Sequence, residues 1–217
     1  MCLIIASKTG ELPNKDILTR AWDGNPHGWG LMTMKEDQLT ITKGLAKDSL
    51  EKTIKQQIVP GTPYVLHYRW ATHGPKTRDN CHPFEVTPYL YMAHNGVISG
   101  IDITDESRSD SYHFAAKLAE IGLDEDTLQE KEVQDCIADW VGWGNKLVFM
   151  DSQGRITIIN EDMGETVGNI WYSNNLAIDE AAYWREEAAY LQRQLDWVTN
   201  EYQTFRAIDT AISGGGN

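Results

Sequence analysis

Cys2 stands directly behind the initiator Met1 and ahead of the apolar run Leu3-Ile4-Ile5-Ala6. Cysteine is small enough for Met1 to be trimmed, and trimming would leave one residue carrying both a thiol and a free α-amine. The amine titrates near pH ~8 and the thiol near ~8.5, so both change protonation close to neutral pH. An α-amine so placed can serve as base for the nucleophile beside it. The chemistry this allows is attack of sulfur on a carbonyl carbon. A cysteine at position 2 can equally be an inert structural residue.

A sulfur attacking a carbonyl needs donors aimed at the oxyanion. The side-chain amide of Asn95 and the backbone N–H of Gly96 are such donors, each worth roughly 3 kcal/mol when well placed. An amino-acid ligand also presents a carboxylate and an ammonium. Arg69 can hold a carboxylate through two parallel hydrogen bonds, and Asp110 can pair with an ammonium. Each residue has a bland reading too. Arg69 could be a strand-end ion pair, Asp110 a helix N-cap, and Asn95-Gly96 a tight turn.

Positioning these groups falls to strands and loop-opened helices. Residues 2–7 read as a buried strand, and 10–29 as a loop rich in Gly and Pro. Residues 31–34 and 39–42 form a hairpin, 48–58 a helix capped by Asp48 or Ser49, and 63–70 a strand. On that strand Tyr64, Leu66 and Tyr68 face one side; Val65, His67 and Arg69 face the other. A polar loop covers 72–83 and a strand 89–93. Helices span 110–121, with Phe114, Leu118 and Ile121 inward, and 124–140. A hairpin follows over 146–150 and 155–160, then a strand at 169–173. Strands in hairpins with helices in blocks predict an α+β fold with antiparallel sheets.

The last helix is expected over 179–207. Trp184, Ala188, Leu191, Leu195, Val198, Tyr202 and Phe205 recur at spacings of four and three, a heptad seam. The seam predicts either packing on the chain's own domain or contact with a partner, including a homo-oligomer through this helix. Residues 1–178 are expected to form one domain, and 208–217 a disordered tail.

The 217 residues carry a net charge of -13, which excludes a broad nucleic-acid footprint and disfavours an anionic membrane surface. Three cysteines without close pairing argue against a disulfide framework and for a reducing cytoplasm. The N-terminal apolar run is too short for a signal peptide or a membrane span. His73, Cys81, His82 and His94 match no common zinc spacing, so no metal is expected.

The ordered set is more specific than its members. Cys2, Asn25-Pro26-His27-Gly28-Trp29-Gly30, Arg69-Trp70-Ala71-Thr72-His73-Gly74, Asn80-Cys81-His82-Pro83-Phe84, His94-Asn95-Gly96, Ser109-Asp110-Ser111 and Trp171-Tyr172-Ser173-Asn174 occur in order across residues 2–175. Together they resemble the class II glutamine amidotransferases, of the N-terminal-nucleophile (Ntn) hydrolases. The resemblance implies a four-layer αββα sandwich, two antiparallel sheets between helical layers. It implies hydrolysis of the L-glutamine side-chain amide to glutamate and ammonia through a thioester, without a cofactor. By position Cys2 is then the catalytic nucleophile, and Asn95 and Gly96 the oxyanion hole. Arg69 binds the α-carboxylate and Asp110 the α-ammonium. Thr72 and His73 line the pocket with Trp70 beside it. The chain shows no motif of an ammonia-accepting domain, so a separate synthase or transferase is the expected acceptor, docking on the 184–205 seam. Two further readings stay open: an Ntn amidohydrolase acting on another γ-glutamyl or amide substrate, and an inactive binding module of the same fold.

Overall fold

The computed structural model of the chain describes residues 2–72, 74–179 and 188–203. The elements in order are β1 (Leu3–Ser7), α1 (Lys15–Gly24), β2 (Trp29–Lys35), β3 (Gln38–Gly44), α2 (Lys47–Gln57), β4 (Tyr64–Tyr68), β5 (Phe84–Thr87), β6 (Leu90–Asn95), α3 (Asp110–Glu120), α4 (Lys131–Val141), β7 (Lys146–Asp151), β8 (Ile156–Ile159), β9 (Glu165–Val167) and β10 (Ile170–Tyr172). A further helix, α5, covers 188–203.

Strand alternation builds the layers. The order β3-β2-β4-β1-β10-β9 makes one sheet and β5-β6-β7-β8 the other, with every pairing antiparallel. In β1, Leu3 and Ile5 point to one face and pack with Ala21, Leu50 and Ile54 of α1 and α2. Ile4 and Ala6 point to the other face, against Ala93, Val148 and Met150 of the second sheet. The outer face of that sheet, through Met92, Leu147 and Phe149, packs on Phe114, Leu118 and Ile137 of α3 and α4. Three apolar interfaces therefore separate four layers, α/β/β/α, as the resemblance implies.

Several local expectations change. The segment 10–29 contains helix α1, because Asn14 accepts the Ile17 N–H and Ala21 is buried with Ile17 and Leu18 packed beside it. The flanking Gly and Pro residues mask this short apolar face. Helix α2 begins after Ala46 with no side-chain cap, since Ser49 Oγ instead donates to the Ala46 carbonyl at 2.7 Å. Ile121 is exposed, for α3 ends at Glu120. The stretch 124–140 divides into a single tight turn, Thr127–Gln129, and α4, because Glu130 is extended. Asn95-Gly96 is no hairpin turn: β6 leads through a long loop into α3. Strands β5 and β9 were not foreseen.

Along α5, Leu191, Leu195, Val198 and Tyr202 are all exposed. Trp184, Phe205 and the tail 208–217 lie outside the described residues. Among the described residues no helix is long and apolar enough to cross a membrane.

Candidate active site

Strands β1 and β4 pair with Leu3 opposite Tyr68, so the start of one lies beside the end of the other. That register delivers Cys2 to Trp70. The Trp70 N–H donates to Cys2 Sγ at 3.3 Å, and the thiol donates to the Trp70 carbonyl at 3.4 Å. The Cys2 carbonyl accepts from Asn174 Nδ2 at 2.9 Å, just past β10. Burial pushes the thiol pKa up; the Trp70 hydrogen bond and the Arg69 charge pull against it, and Asp110 adds to the rise.

Arg69 is buried, and burial pulls its own pKa down. Its guanidinium donates to the carbonyls of Pro75 (2.9 Å) and Gly74 (3.5 Å), which folds the 72–83 loop back over the strand end. Asn80, fully buried, locks that loop to the next one. Its Nδ2 donates to the Ser107 carbonyl at 2.8 Å, and its Oδ1 accepts the Ser109 N–H at 3.1 Å. The Arg69 loop and the N-terminus of α3 are thus held together. Trp70 stacks on His27, with ring centroids 4.6 Å apart, and meets Tyr190 of α5 edge-on at 5.4 Å. His27 Nδ1 accepts from the Ala71 N–H at 3.0 Å, and burial lowers its pKa, both of which favour a neutral ring. Thr72 is exposed in this loop, and His73 lies outside the described residues.

Asn95 ends β6 and is buried. Its Nδ2 donates to Ser173 Oγ at 2.8 Å, and that hydroxyl also accepts the Ile4 N–H at 2.8 Å. Asn95 is therefore tied across the two sheets to the strand that carries Cys2. An amide nitrogen has two hydrogens, so one stays available to a ligand. Gly96 sits at φ +148°, and a side chain there would meet Asn145. Asp110 opens α3. One carboxylate oxygen accepts the Ile98 N–H at 2.9 Å, and the other accepts the Ser111 N–H at 2.8 Å. His94 joins the two by bonding Ser111 Oγ through Nδ1 (2.8 Å) and Asn145 Oδ1 through Nε2 (2.9 Å).

The structure therefore brings Cys2, Arg69, Trp70, Asn95 and Asp110 to one end of the sandwich. Sequence reasoning passed over Asn145, which braces both His94 and Gly96 from the loop after α4. An Asn beside Gly142 and Gly144 reads as an ordinary turn and carries no other signal. Among the described residues no group of three or more His, Cys, Asp or Glu is placed to hold a metal.

No family model matches the chain. It is 45% identical over 51 residues to a glutamine–fructose-6-phosphate aminotransferase [isomerizing] of Gluconobacter oxydans, a match covering 24% of this chain and 8% of that protein. The counterpart from Pyrococcus horikoshii is 38% identical over 71 residues, 32% of this chain and 12% of that protein. Among solved structures, the glutamine phosphoribosylpyrophosphate amidotransferase of B. subtilis matches with a TM-score of 0.54 at 17% identity, over 82% of this chain and 43% of that one. Over these stretches the chain is similar in sequence to glutamine–fructose-6-phosphate aminotransferases, and it shares the fold of the solved amidotransferase. A second solved structure, that of the allosteric regulatory enzyme of purine biosynthesis, matches with a TM-score of 0.57 at 16% identity. It too is covered to 43%, so the chain spans less than half the length of these solved structures.

Proposed function

We propose that the chain is a class II glutamine amidotransferase domain, which hydrolyses the side-chain amide of L-glutamine once Met1 is removed. The observation that supports it best is the double hydrogen bond of the Cys2 thiol to the backbone of Trp70, the residue after Arg69. In this reading Arg69 holds the α-carboxylate, Asp110 the α-ammonium, and Thr72 and His73 the walls. The Cys2 α-amine takes the thiol proton, and sulfur forms a C–S bond to the side-chain carbonyl carbon. Burial raises the thiol pKa, so a base beside it is needed at neutral pH. Charge on the carbonyl oxygen is met by Asn95 Nδ2 and the Gly96 N–H. The C–N bond then breaks, and the amine returns its proton to the leaving nitrogen, releasing ammonia. Water cleaves the γ-glutamyl thioester to glutamate.

Ammonia would pass to a separate synthase or transferase; the exposed apolar stripe of α5 is the surface offered for docking. The decisive test pairs N-terminal mass spectrometry with ammonia release from L-glutamine. The processed protein is expected to be active and Cys2→Ala inactive with an unchanged circular dichroism spectrum. Equal activity in the two would refute the reading.

A further inference from the structure

Asp110 and Gly74, both beside the proposed glutamine site, also line a cavity of about 290 Å³ that continues to residues a free glutamine does not need. Val97, Ile98, Ile101 and Ile103 supply an apolar wall, and Arg108 and Asp110 line it from the start of α3. Ser109 between them is extended (φ -78°, ψ 161°), and Arg108 and Asp110 both line the cavity. The Arg108 guanidinium lies over the Tyr112 ring at 4.0 Å, which orients it. Its Nε is buried without a hydrogen-bond partner among the described residues, and the ion pair to exposed Asp79 is long, at 4.0 Å. A cation oriented by an aromatic ring, with its Nε donor unused, on the wall of a largely apolar cavity suits an anion carried on an apolar group.

From this geometry we propose that the domain's substrates include dipeptides with N-terminal glutamine and an apolar second residue. The inference rests on the glutaminase reading above and extends it at the head-group end. The glutamine ammonium pairs with Asp110, and its side-chain amide reaches Cys2 as before. The peptide carbonyl replaces the α-carboxylate at Arg69. The apolar second side chain lies on Ile98 and Ile101, and the terminal carboxylate meets Arg108. Glu106, at the exposed rim, disfavours an acidic second side chain.

The test uses the processed full chain and measures ammonia release from L-glutamine, L-glutaminyl-L-leucine and L-glutaminyl-L-leucine amide. The dipeptide is expected to exceed glutamine in kcat/KM by roughly tenfold, and the amide, lacking the carboxylate, to lose most of that gain. Arg108→Gln should bring the dipeptide-to-glutamine ratio close to one. Ile103→Glu, an exposed change that the fold tolerates, should lower the same ratio by placing a like charge beside the carboxylate. A wild-type dipeptide no better than glutamine, or a ratio unmoved by both substitutions, overturns the proposal while leaving the glutaminase reading intact. Ammonia from none of the three would sink both.

Discussion

Asn95 is held by its neighbours before any ligand arrives. Its amide bonds Ser173, which bonds Ile4, so the donor is fixed relative to the strand that follows Cys2. Preorganised donors lower a barrier because nothing has to reorient as charge develops. Asn95→Ala is therefore expected to reduce kcat by roughly 10²–10³-fold with a smaller change in KM. Steady-state ammonia release over a range of glutamine concentrations separates the two. A change confined to KM would remove Asn95 from the oxyanion role. Arg69 works under a different constraint. Its guanidinium also holds the Gly74 and Pro75 carbonyls, so it shapes the loop as well as offering charge.

At the scale of elements, the turn after β6 sets the donor geometry. Gly96 combines a positive φ with close approach to Asn145, whose Cγ would lie 2.9 Å from an added Cβ. Neither strain has an outlet, because Asn145 is itself bonded to His94 and the Val141 carbonyl. Gly96→Ala is expected to cost about 1–3 kcal/mol of stability and most of the activity. Gly61→Ala also has positive φ but meets open space, so it should cost less and leave ammonia release unchanged. Urea titration of both variants checks the difference. The 72–83 loop shows the same logic, since Asn80 joins it to α3 and the two ends of the proposed glutamine site move as one.

For the molecule as a whole, three buried histidines couple stability to pH. Burial lowers the pKa of His67 to about 3, that of His82 well below its ordinary value, and that of His94 also. His67 and His82 face each other with ring centroids 4.1 Å apart, and their nitrogens lack partners among the described residues. In the unfolded chain each titrates near ~6.5, so the unfolded state binds more protons below that pH. Their contribution is present above about pH 6.5 and is lost as pH falls toward the folded values. His67 and His82, the most strongly shifted, each add a slope of at most about 1.4 kcal/mol per pH unit in that window. Urea midpoints are expected to be flat from pH 8 to 7 and to drop steeply from pH 6 to 4. A His82→Phe variant should show a shallower drop. An identical slope in the variant would exclude the effect.

The sequence by itself determined the strand alternation, the α+β class and the loops that carry Cys2, Arg69, Asn95 and Asp110, because these are local patterns of period and residue type. Helix α1 escaped it, since a short apolar face between glycines leaves little periodic signal. The layer order and the register of Leu3 against Tyr68 arise only when both sheets bury their inner faces together. The same holds for Asn145 against Gly96 and for the cavity lined by Arg108 and Asp110. Such contacts join residues far apart in the chain, and burial chooses among them through volumes and hydrogen bonds that no window of sequence contains.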